Sequence, residues 1–298
     1  MAGTGQAIAG GHTLNTGPST TWSSGPLTLD DGAEIVNGGT FSAQDSASLL
    51  DFMPQGGTVR NPGGMTFNIA SASLTFDGVQ GMATVDNDGT MNFKGTSCFM
   101  QNGVVLEQSG LFHVQNGEVR LTNQTLFSQT AGITRLQAGT TFRTTNQSSL
   151  TGGVIEGEGT VRLADDLDNQ SLRVRPGLSA GTLTVFSDYM QSGAGVLEIE
   201  LGGTQAGEFD LLSVTGDASL GGVLEVVLID GFMPRENDEF VVLTAASVAG
   251  TFDTVTLVDF PPDLSVDVVT GATSVTLVIS GLHVRDGFED MALASTQD

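Results

Sequence analysis

The sequence predicts an all-β chain wound as a single-stranded parallel β-helix, a β-solenoid, and three observations predict it. Glycine is abundant at 41 of 298 residues while proline is held to 8. That level without a triplet period marks turns between structured segments. A short unit, Gly-x-apolar-x-apolar, recurs at Gly89–Phe93, Gly117–Leu121, Gly159–Leu163, Gly181–Val185, Gly195–Ile199 and Gly222–Val226. Each copy is a turn residue followed by period-2 alternation, the mark of a short strand with one buried face. Helical spacing behind a helix cap is almost absent.

A second register supports parallel stacking. Asn102, Asn123, Asn146 and Asn169 follow one another at 21, 23 and 23 residues, close to one turn of a three-sided solenoid. Stacked turns would set these amides about 4.8 Å apart as a hydrogen-bonded ladder. The last three also read as Asn-x-Ser/Thr sequons, but glycosylation has no reason to keep the spacing of a turn, so the ladder is preferred. Repeats of 20–23 residues predict roughly a dozen rungs, with right-handed winding expected. The rival is an antiparallel sandwich, whose hairpin turns Asp31-Gly32, Asn37-Gly38, Asn102-Gly103 and Asn116-Gly117 could supply.

Four regions are expected. Residues 1–60 are the least regular and read as an N-terminal cap or assembly region, with Trp22, the only tryptophan, as a plug. Residues 61–180 carry the clearest repeats, 181–280 longer and more apolar rungs, and 281–298 a tail.

Charge narrows the partners. Acids outnumber bases 34 to 10, a net charge of −24, which repels phosphate backbones and anionic lipid. No nucleic acid and no membrane insertion are expected, since no apolar run is long enough to span a bilayer. The lone Cys98 excludes an internal disulfide and reads as an inert core thiol. Met1 to Gly5 carry neither a basic nor an apolar leader segment, so an exported chain would have lost its leader or used another route.

The catalytic inventory is thin. His12, His113 and His283 show no metal-ligand spacing, and His113 alternates with Phe112 and Val114, which places it on the opposite side of a strand from them. The densest carboxylate cluster is Asp165, Asp166 and Asp168, a weak calcium candidate if carbonyls complete the shell. A glycosidase needs paired carboxylates in a groove and usually aromatic platforms, and the chain has one Trp and one Tyr. Lyase chemistry wants a base cluster, whereas Lys94 is the only lysine and the nine arginines are scattered in sequence. No enzyme and no cofactor beyond calcium are expected.

The run Val174-Arg175-Pro176-Gly177-Leu178-Ser179-Ala180-Gly181-Thr182-Leu183-Thr184-Val185 resembles a junction common in secreted bacterial β-helix proteins of the autotransporter-passenger and adhesin type. Gly203-Thr204, Phe209–Gly216, Leu220–Gly222 and Phe240–Phe252 resemble the rungs that follow it, so the likeness covers about residues 150–280. Asp286-Gly287-Phe288-Glu289 resembles a short C-terminal tag of secreted gammaproteobacterial proteins. The resemblance implies an extracellular or cell-surface protein. The expected function is a surface or matrix rod that self-associates through its solenoid ends into filaments or acts as an adhesin. The alternative is a module that binds surface glycans, or a degenerate polysaccharide-active one.

Overall fold

The computed structural model describes residues 6–52, 56–78 and 83–281. These form a parallel β-solenoid without helix, of about nine turns. The tail, with His283 and Asp286 to Glu289, lies outside the described residues, as do Met1 to Gly5.

Each turn lays one strand on each of three faces. In one turn Thr90–Phe93 lies on the first face, Ser97–Gln101 on the second and Val104–Gln108 on the third. Their successors Leu111–Val114, Glu118–Leu121 and Leu126–Gln129 pair with them in parallel and in register. The alternation read from the sequence is the cause. Met91, Phe93, Cys98, Met100, Val104 and Leu106 point inward and are buried, while the residues between them face out. Cys98 is a core thiol, and its burial pushes its pKa up.

The inner side chains stack along the axis. The ring of Phe112 lies 4.8 Å from Phe93 and 5.6 Å from Phe142, which in turn is 4.8 Å from Phe127. Such pairs add about 0.5–1.5 kcal/mol each beyond burial. The corners need glycine where chains approach most closely. Gly117 has φ +66°, and a Cβ there would stand 2.0 Å from the Thr96 carbonyl oxygen. The Asp-Gly and Asn-Gly pairs that could have made sandwich hairpins lie at or beside such corners. Asp31, Gly32, Asn102 and Gly103 all take positive φ.

Turn length varies along the axis. Thr90 faces Leu111, Leu111 faces Ile133 and Ile133 faces Val154, turns of 21, 22 and 21 residues. Val154 faces Arg173 after only 19. Val196 faces Val223 after 27, and Val223 faces Thr254 after 31. These long turns absorb residues that a constant repeat would have spent on further rungs, which is why a dozen is an overestimate.

Two regional expectations change. Rungs already run through residues 6–52 and 56–61, where Ser19–Leu29 and Thr40–Phe52 each continue round a corner and pair side by side. Trp22 is buried within this stack (1% exposed), its indole N–H donating to the Gly25 carbonyl at 3.0 Å. At the other end, Ser274–Gly281 pairs antiparallel with both Glu239–Thr244 and Leu264–Thr270. The second face therefore finishes in an antiparallel closure instead of further parallel rungs.

Candidate functional site

The ladder that holds the third corner is not the predicted one. Thr16 donates to Asn37 Oδ1 at 3.2 Å. Asn37, Asn61 and Asn87 then each donate Nδ2 to the next amide oxygen, ending on Gln108 Oε1, at 2.8, 2.7 and 2.7 Å. All four amides are buried at the ends of third-face segments, so each finds the partner that burial requires. Of the predicted four, only Asn169 occupies this corner. It is buried beside Gln191 of the next turn, with Nδ2 donating to the Val196 carbonyl at 3.2 Å. Asn102, Asn123 and Asn146 belong instead to the corner between the second and third faces. There Asn102 donates to Asp77 at 2.7 Å, Asn146 accepts the Gln124 N–H at 3.0 Å, and Asn123 is exposed. Treating Asn and Gln as one class would have exposed the true register, because Asn87, Gln108 and Gln129 follow at intervals of 21.

Leu150 stands opposite Gln129 in the next turn, and there the amide series stops. The third-face sheet stops too. A seven-stranded ladder ends at Ser148–Leu150, and a separate four-stranded one begins at Leu167–Asn169. The two lie at the 19-residue turn, which has fewer residues to spend on the third face. A cleft of about 330 Å³ opens between them, and Asp165, Asp166 and Asp168 line it with Ser149 and Thr151. Asp168 accepts the Gln170 amide at 2.6 Å, and Asp165 Oδ1 is enclosed without a partner. Among the described residues, no three His, Cys, Asp or Glu side chains come together in a way that could hold a metal ion. A second cleft of about 300 Å³ on the same face holds Asp86, Asp88 and Glu107 with Ser109, Ser128 and Thr130. Burial and then the Asp88 charge raise the Asp86 pKa, opposed by Arg60.

The first face carries an outward column of polar and charged side chains whose signs alternate from Arg135 to Glu198. His113, Arg135, Glu156, Arg175, Glu198 and Glu225 stand opposite one another in successive turns. Glu156 bridges Arg135 at 2.5 Å and Arg175 at 3.1 Å, and Arg175 reaches Glu198 at 2.8 Å. Arg173 pairs with both Glu198 and Glu225. At the head of this column His113 is nearly buried, and burial and then the Arg135 charge lower its pKa. Gln115 and Gln137 approach its two ring nitrogens at 3.1 Å each. A neutral imidazole has one N–H, so one amide must present its oxygen to it.

The second face carries a different column. Phe99, Arg120 and Arg143 stand opposite one another, Arg143 faces Arg162, and Phe186 follows Val185, which faces Val161. The Arg120 guanidinium lies 5.5 Å from the Phe99 ring centre, and that of Arg162 4.2 Å from Phe186. These arginines are far apart in sequence and adjacent in space.

The familiar junction has a structural use. Asp210, wholly buried, accepts the Gly181 N–H at 2.8 Å and the Glu200 N–H at 2.9 Å, tying the Pro176–Gly181 corner to the next turn. Burial pushes its pKa up to about 8 against those two hydrogen bonds, with the Glu200 and Glu198 charges adding to the rise. No family model matches the chain, and no curated protein matches it.

Proposed function

We propose that this chain is a non-enzymatic extracellular rod, a surface or matrix β-solenoid that associates through its solenoid ends and adheres through its faces. The observation that carries the reading is that strands with a free edge stand at both ends of the stack. Among the described residues, Gln6–Ile8 and Thr13–Asn15 are each paired on one edge only. A row of unpaired backbone groups is a template for another strand. At the opposite end Val248–Gly250, Thr254–Val258 and Leu264–Thr270 are likewise each paired on one edge only among the described residues, the second face finishing in the antiparallel pair Leu264–Thr270 and Ser274–Gly281. The non-enzymatic part draws support from where shifted groups lie. Cys98, Tyr189 and Asp210, the most strongly shifted groups, are all in the interior, whereas strongly perturbed groups at active sites sit in clefts; Asp86, which lines the second cleft, is shifted less.

Sedimentation and electron microscopy over a range of concentrations, with and without calcium, test the association. Oligomers that lengthen along the rod axis are expected. A chain that stays monomeric at high concentration in both conditions would remove association from the proposal.

A further inference from the structure

We infer that the second-face column Phe99–Arg120–Arg143–Arg162–Phe186 is a binding site for a linear acidic polysaccharide. This rests on the adhesive reading above and names its partner.

Electrostatic cost makes the column informative. Stacked turns set like residues about 4.8 Å apart, and like charges directly opposite one another destabilise a sheet. On the first face this chain avoids that cost by placing a glutamate between Arg135 and Arg175. On the second face three arginines are stacked in register. Only Arg120 has an acidic partner, Glu118. Arg143 and Arg162 form no salt bridge among the described residues. In a chain of net charge −24, uncompensated arginines at adjacent positions are a structural expense that a bound anion would relieve.

The surroundings select the kind of anion. Guanidinium groups match carboxylate and sulfate in a two-pronged fashion. Thr141 and Thr160 lie beside Arg143 and Arg162 in the same strands, and Thr184 continues the hydroxyl row. These are partners for sugar hydroxyls. Phe99 and Phe186, the latter 45% exposed, bracket the column and add apolar surface beside the guanidinium groups that lie over their rings. Five side chains at successive rungs span roughly 19 Å, a row that an extended chain of sugars could follow. The net charge of −24 opposes every polyanion alike; the hydroxyl row beside the arginines is what favours a sugar chain over a nucleic acid.

The test uses the full chain with polygalacturonate (carboxylate), dextran sulfate (sulfate), neutral dextran and a single-stranded oligonucleotide as probes. Binding to one or both acidic polysaccharides is expected, weakening as salt is raised, with none to dextran. The double variant Arg143→Gln, Arg162→Gln should weaken it at least tenfold with unfolding unchanged, and Phe186→Ala should weaken it less. No binding to either acidic polysaccharide, equal binding by the double variant, or equal binding to dextran or the oligonucleotide would overturn the proposal. So would a double variant that loses only self-association, since the column would then contact another copy. End-to-end association is scored separately, so loss of either result leaves the other legible.

Discussion

The first and second faces receive the same geometric constraint and answer it in opposite ways. Both stack outward side chains at one rung spacing. The first alternates Arg135, Glu156, Arg175 and Glu198, and Glu156 is enclosed to 3% side-chain exposure between its two arginines. The second stacks Arg120, Arg143 and Arg162 with one glutamate among them. A column that neutralises itself contributes to holding turns together. A column that does not is left with charge to spend on something outside the chain.

Breaking the alternating column should give the largest effect. Glu156→Ala leaves Arg135 and Arg175 facing each other across an emptied position. A loss of about 3 kcal/mol is expected, from the cost of orphaning one side of a buried pair discounted because both arginines are about one-third exposed. Denaturant unfolding measures it, and a loss below about 1 kcal/mol would mean the column contributes little.

The uncharged interior column sharpens the contrast. Asn61→Ala removes the amide between Asn37 and Asn87, leaving the Asn87 Oδ1 and one N–H of the Asn37 amide without that partner while the Asn37 Nδ2 keeps the Thr66 carbonyl. About 2 kcal/mol should be lost. Asn123→Ala at the exposed corner should cost less than about 1 kcal/mol, mainly because Asn123 has φ +50°.

A pH-dependent effect concerns the first-face acids Glu200 and Glu198, which add to the effect of burial on Asp210. A carboxyl with a pKa of about 8 in the folded chain and an ordinary value when unfolded takes up protons on folding. Its contribution to stability is full below about pH 4 and is lost as pH rises through about 8. Relative to the Asp210→Asn variant, the parent chain should lose stability between pH 4 and 8. Parallel profiles for the two proteins would dismiss the shift.

Least of all should change when the like-charged column is diluted. Arg143→Gln is expected to leave stability within about 0.5 kcal/mol, with any change toward greater stability. A marked destabilisation would mean that Arg143 supports the fold after all.

Much of the fold was readable because it depends on local alternation. Gly117-Glu118-Val119-Arg120-Leu121 states which side chains turn inward without reference to any other turn. Corner assignment was not local. Asn102, Asn123 and Asn146 keep a 21–23-residue interval more closely than Asn37, Asn61 and Asn87 of the true ladder, which stand 24 and 26 residues apart. The acidic cluster at Asp165, Asp166 and Asp168 was visible. The cleft it lines was not, because the cleft arises where a 19-residue turn follows longer ones and the third-face sheet parts.

By itself, the sequence determined the strand period, the identity of the core and the excess of acid, since each follows from side-chain chemistry taken one residue at a time. Which arginines meet which acids was decided only when the turns stacked. Arg120, Arg143 and Arg162 are separated by 23 and 19 residues, with Arg135 falling between the first two and Arg175 following the last. A shift of one position within a strand reverses the direction in which a side chain points. A shift of one strand moves it to another face. The register of the whole stack therefore sorted arginines that look scattered in sequence into a column interleaved with acids and a column of three with a single acidic partner.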